Sequence, residues 1–246
     1  MLINPVIAGL TWRQSLAKRR WIVVAVLAAL PVIMALVTRL YSGDDEPIAM
    51  VSEILMNLSL VVVVPVIALT LASSGFGAEV DDGTVVYLIT KPISRVEIVA
   101  TKLLVTSAIC IAATSVSTIA AGLVGLHHLD ATRLVIGFAV AAALGSFLYT
   151  AIFLALGLIT RRGMLVGLIY LVVWEGTVSQ LFPGTRSLSV RQYMLAVTDA
   201  ISTVDPIRYL AKVPTATAYQ MSVIIGVAAV ALCIQRLRTF EVGQSG

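Results

Sequence analysis

Side chains in this chain that could carry chemistry are few, and most lack the spacing that chemistry needs. The only histidines, His127 and His128, are adjacent. Neighbouring residues do not share a helix face, and no Cys or carboxylate cluster completes a ligand set, so a solvated loop is expected there and no metal site. Cys110 and Cys233 have no metal or redox spacing and fall within apolar runs, where they read as small buried residues. There is no G-x-x-x-x-G-K-S/T to cradle nucleotide phosphates and no H-E-x-x-H for a metalloprotease. No catalytic, cofactor-binding or metal-binding residue is therefore assigned, and any ATP chemistry must come from a partner. What remains is the stretch Phe76 to Leu104, FGAEVDDGTVVYLITKPISRVEIVATKLL, a charged, turn-containing segment of 29 residues between long apolar runs.

The elements around that segment set its surroundings. The chain is 59% hydrophobic and only 12% charged, with a mean hydropathy of +1.00, whereas soluble domains carry about 25% charged residues. Apolar runs extend from Trp21 to Val37, Ile54 to Ser74, Leu103 to Leu126, Leu134 to Ile159, Met164 to Phe182 and Thr215 to Ile234. Each is near the roughly 20 residues that a helix needs to cross a bilayer. The reading is an all-α integral membrane protein with six spans in one domain, residues 1–246.

Lys and Arg set the expected orientation, because cytoplasmic flanks keep positive charge. With the N-terminus inside, 11 of the 17 basic residues fall on inner segments. An even number of spans then places both termini in the cytoplasm. The net charge of +4 is spread along span flanks, which suits anionic inner-leaflet lipid and not nucleic acid. Residues 1–20 mix apolar and basic positions as an interfacial helix would, a disordered basic leader being the alternative. The first apolar run follows Lys18-Arg19-Arg20 like a signal peptide, yet no small-residue cleavage site follows it, so it reads as a retained span.

Several local features qualify this outline. Pro31 and Pro65 lie inside spans, where neighbouring helices tolerate the lost hydrogen bond and a kink is expected. The third span carries Thr106, Ser107, Thr114, Ser115, Ser117 and Thr118, which suit close packing with cross-helix bonds, a polar pathway being the alternative. Gly163 and Gly167 form a GxxxG that serves a dimer or internal packing equally well. Residues 183–214 form an outer segment in which Leu188, Val190, Tyr193, Met194, Val197 and Ile201 recur at roughly helical spacing, predicting one or two short helices on or dipping into the outer face. Glu175 lies 13 residues after Arg162, about 20 Å up a helix, where a carboxylate must face protein, water or a partner charge.

Within the charged segment, Glu79, Gly83-Thr84, Leu88, Pro92, Ser94-Arg95, Glu97 and Lys102 resemble the E-x-x-x-G-T-x-x-x-L-x-x-x-P-x-S-R-x-E-x-x-x-x-K pattern of ABC type-2 transporter permeases. The six spans, the basic N-terminal helix and the helical outer segment are also similar, so the resemblance covers nearly the whole chain. It implies that residues 75–102 form a cytoplasmic coupling helix that docks into an ATPase, with Glu79, Gly83, Thr84, Pro92 and Arg95 as the coupling residues. Capping of helices and contact with phospholipid headgroups is the alternative role for Glu79, Thr84 and Arg95. The resemblance further implies two cytoplasmic ABC ATPase subunits holding ATP and Mg, a second permease of the same or another kind, and surrounding membrane lipid. In such permeases the second and fifth spans line the path between protomers, which makes Asn57 and Glu175 path candidates. A structural pairing of Glu175 with Arg186 or Arg191, or its reaching the outer interface, stays open beside that. The family is dominated by exporters, and the sparse charge within the spans favours amphipathic, drug-like or lipid-like cargo. Two other classes compete: a scaffold or regulatory subunit that binds an ATPase without transport, and an intramembrane lipid-modifying enzyme, for which the scattered polar residues give little support.

Overall fold

Among the described residues, six helices are long and apolar enough to cross a membrane, and how they pack follows from where the small residues lie. The computed structural model describes residues 4–15, 20–41, 47–77, 94–126, 131–160, 162–202 and 211–239, and every element assigned there is helical. We label them α1 (Pro5–Ser15), the spans α2 (Arg20–Tyr41), α3 (Ile48–Ala72), α4 (Arg95–Gly125), α5 (Thr132–Ile159) and α6 (Gly163–Leu181), the short helix α7 (Val190–Ile201), and the sixth span α8 (Thr215–Thr239).

α5 is the hub and packs against α3, α4, α6, α7 and α8. Its Gly137, Ala141, Ala142, Gly145, Ser146, Ala151 and Gly157 are all buried, and such small residues let membrane helices approach closely. α2 lies at the other extreme, with only Pro31 and Ala35 fully buried. The hydroxyls of α4 join three neighbours: Thr118 to Ser59 of α3 at 2.8 Å, Thr114 to Ser146 of α5 at 2.8 Å, and Ser117 to the Ala28 carbonyl of α2. They act as cross-helix bonds in the interior, each worth about 0.6 kcal/mol by the average for such bonds. Gly163 and Gly167 serve internal packing. A Cβ on Gly163 would sit 2.8 Å from Gly157 Cα, and one on Gly167 would sit 2.4 Å from Leu69 Cδ1.

Three features of the fold matter for function, the first two of them departures from the sequence expectation and the third the deeper of its two expected placements. First, α4 begins eight residues before Leu103 and is 31 residues long, so Arg95 to Lys102 are its first turns and not part of a separate hairpin. Ser94 explains the start: its hydroxyl accepts from the Glu97 N–H at 3.2 Å, while Glu97 lies in the first turn and complements the helix dipole.

Second, α3 and α6 each contain a π-helical stretch, Ile54–Val63 and Tyr170–Val178. In α3 the stretch ends two residues before Pro65, and the Val64 N–H bonds the Ser59 carbonyl five residues back. Proline has no N–H and clashes with the carbonyl four residues earlier, so a wider turn just ahead of it relieves the conflict that predicted a kink.

Third, the segment after α6 dips deeply. A Cβ on Gly145, 13 residues into α5, would lie 2.0 Å from Met194 Sδ, while one on Gly137 would meet the Thr198 carbonyl oxygen at 3.2 Å. The N-terminal end of α7 is thus about 20 Å along α5, and its C-terminal end is shallower. α7 is a re-entrant helix, buried over Val190 and Gln192 to Thr198.

If all six helices cross the membrane, the three spans α4, α5 and α6 between Ser94 and Ser187 leave these two residues facing opposite sides. With both buried free cysteines replaced, single cysteines at these two positions are expected to react with an impermeant thiol reagent from opposite sides of the membrane. Labelling of both from one side would remove the six-span arrangement.

Candidate functional site

Both ends of the charged segment are anchored in the bundle. Of the coupling candidates, Glu79, Gly83, Thr84 and Pro92 lie outside the described residues; Arg95 is half-buried in the first turn of α4. Where the chain leaves α3, Gly75 is buried, and a Cβ there would lie 2.7 Å from Leu154 Cδ2 of α5. Where it returns, Lys102 is only 1% exposed, and its Nζ donates to the Gly75 carbonyl at 2.6 Å while lying 4.4 Å from the Phe76 ring centroid. A buried ammonium needs such donor–acceptor and cation–π partners to offset its desolvation. α1 joins the same junction, because the Asn4 N–H donates to the buried Thr101 hydroxyl at 3.1 Å. One clamp therefore ties the end of α3, the start of α4 and the N-terminal helix together.

Glu175 occupies a second polar site, built by the π-turn of α6 and the reversal into α7. In a π-helix residues i and i+5 stack, which places Tyr170 beside Glu175. The Tyr170 hydroxyl donates to Oε1 at 3.3 Å, the Val190 N–H to Oε1 at 2.9 Å, and the Ser189 hydroxyl to Oε2 at 2.5 Å. Tyr170 is itself held edge-on by Phe153 of α5, with ring centroids 6.2 Å apart. The carboxylate thus caps the N-terminus of a 12-residue helix, where orphan N–H groups and the helix dipole both favour negative charge. The backbone of Arg191 joins these donors, and the side chains of Arg186 and Arg191 do not.

Asn57 lies elsewhere. It is exposed on α3 and lines a groove between α2 and α3 together with Glu53, Thr38, Met34, Met50 and Leu58. None of Glu175's partners borders this groove, so the two path candidates are not brought together within one chain. Sequence reasoning missed Glu53, which fell just outside the expected second span although it sits one turn before Asn57. It also missed the inward role of Lys102 and the Ser189 partnership. The Ser94-x-x-Glu97 spacing was the one signal that marked the true start of α4.

Six apolar helices, a tucked N-terminal helix and a re-entrant helix before the last span define a multi-pass membrane protein built as a permease. Residues 6–239 match the family described as ABC-2 family transporter protein, and the chain belongs to it. No curated protein matches the chain. It is thus a membrane permease component of an ABC transporter, a transport component and not itself the catalyst, of a family that generally partners with an ABC ATPase subunit.

Proposed function

We propose that the chain is half of an export pathway: two permease subunits, alike or different, span the cell membrane with both termini in the cytoplasm and are driven by two ATPase subunits that hold ATP and Mg. The clamp at Lys102 carries this reading, because it gives residues 78–93 a rigid base. A pull on that segment would move α3, α4 and α1 as one body. ATP-driven closure of the ATPase pair shifts the permease only if the closed pair favours one permease state over the other. Cargo of amphipathic character, drug-like or lipid-like, fits spans of low charge. Asn57 faces open space and needs no rearrangement to meet cargo, whereas Glu175 is covered by α7 and would meet it only when α7 moves.

The test is reconstitution. The purified chain alone is expected to hydrolyse no ATP, and its complex with the ATPase to hydrolyse ATP and move substrate. Arg95→Glu and Glu79→Arg are expected to leave the chain inserted while lowering assembly with the ATPase by about tenfold or more, since a reversed interfacial charge costs several kcal/mol. Arg236→Glu, an exposed charge near the end of α8, is expected to change little. Wild-type assembly and substrate-stimulated hydrolysis in both of these variants would remove the coupling role and favour headgroup contact.

A further inference from the structure

The groove between α2 and α3 combines an exposed carboxylate with an apolar body. Its volume is about 570 Å³, within the roughly 300–1,000 Å³ range of small-molecule sites. Glu53 and Asn57 are four residues apart and both line it, Glu53 in the last turn before the π-helical stretch and Asn57 within it. Neither side chain makes a hydrogen bond or ion pair with another described residue, and both are exposed. Thr38 adds a hydroxyl whose proton is already donated to the Met34 carbonyl at 2.9 Å, which leaves its oxygen as an acceptor. The walls are supplied by Met34, Met50 and Leu58. Methionine is flexible and polarisable and so adapts to varied apolar shapes.

A carboxylate held against hydrocarbon is costly, so an exposed Glu53 within a span calls for water or a positive partner. No Lys, Arg or His lines the groove, and Arg39, which follows Thr38 in the last turn of α2, makes no ion pair with Glu53. Glu53 is thus the one charged group among the described residues that line the groove, and the lining polar side-chain atoms other than the Asn57 amide nitrogen are acceptors.

We propose that this groove binds a hydrophobic monocation, an organic cation with a bulky apolar body, with Glu53 as its charge partner and Asn57 orienting it. The proposal deepens the transport reading and rests on it only in treating the ligand as cargo; binding itself needs no ATPase.

Tetraphenylphosphonium and tetraphenylborate have the same shape and opposite charge, which isolates the contribution of Glu53. With the chain in phosphatidylcholine nanodiscs, and partitioning into empty nanodiscs subtracted, saturable binding is expected for the phosphonium and none for the borate. Glu53→Gln is expected to weaken phosphonium binding about fivefold, as loss of a partly exposed ion pair would. Glu53→Asp should fall between the two, and Leu58→Trp, which fills the groove, should abolish binding. Thermal midpoints identical to wild type will show that the variants are folded. Equal binding of both ions, or phosphonium binding unchanged in Glu53→Gln, would overturn the proposal. Glu53-dependent binding without ATP-driven movement in the assembled complex would leave the site standing and sink the transport reading, whereas transport of cargo without such binding would sink this inference alone.

Discussion

Lys102→Glu is expected to prevent the protein from reaching its folded, inserted form. The position is buried, and its side chain ends 2.6 Å from the Gly75 carbonyl and 4.4 Å from the centre of the Phe76 ring. A carboxylate there would point an acceptor at an acceptor and a negative charge at the negative face of an aromatic ring. An uncompensated buried charge costs about 3–5 kcal/mol, a large share of the roughly 5–15 kcal/mol that holds a domain folded. Lys102→Met separates structure from transmission. It keeps length and apolar bulk and removes the desolvation cost of the ammonium, while the Gly75 carbonyl loses a partner at about 1–3 kcal/mol. The methionine variant is expected to insert with a thermal midpoint a few degrees lower, yet to show weakened substrate stimulation of the ATPase. Size-exclusion profiles and melting curves of both variants, followed by ATPase assays of the methionine complex, are the measurements. A glutamate variant with wild-type yield and melting would show that this lysine does not clamp the junction.

How much of this was legible in the sequence depended on the kind of signal each element carried. The spans were legible because composition alone requires them: twenty apolar residues in a row have no soluble alternative. The start of α4 was not, because Arg95, Glu97 and Lys102 read as polar loop. Only their helical register shows that Lys102 turns inward, and hydropathy carries no register. α7 was legible as a helix from the spacing of Val190, Tyr193, Met194 and Val197, all of which are buried. Its depth was not legible, since an amphipathic pattern looks the same on a membrane surface as inside a bundle; the depth is set by Gly137 and Gly145 on α5, whose partners no local pattern names. The π-stretches were invisible apart from the hint at Pro65, because the apolar run of α3 is apolar on every side and has no period to break. The coupling residues and the pairing of Asn57 with Glu175 came from family resemblance, and within one chain those two residues occupy separate places.

Glu175→Ala is expected to loosen the re-entrant helix and lower stability by about 4 kcal/mol, because it removes a cap whose donors have no other acceptor at that depth. The Ser189 hydroxyl and the Val190 N–H would both lose their partner, and each unsatisfied buried group costs about 1–3 kcal/mol. The N-terminus of α7 would also lose the negative charge that its dipole favours. Because α7 packs on both α5 and α8, the consequence spreads from one turn to the contact between the hub and the last span. Amide exchange over residues 190–201 in nanodiscs is expected to accelerate, and the melting midpoint to fall. Glu175→Gln decides between the two roles of this residue. Its amide oxygen still accepts from Val190, and its amine can donate to the Ser189 oxygen, so a pure cap should lose only about 1–2 kcal/mol and retain transport in proportion to folded protein. A carboxylate that meets cargo on the path would behave differently: the glutamine variant would melt like wild type and fail to transport a cationic substrate. If exchange and melting in Glu175→Ala matched wild type, the carboxylate would not be holding α7, and the re-entrant helix would owe its position to Gly137 and Gly145 alone.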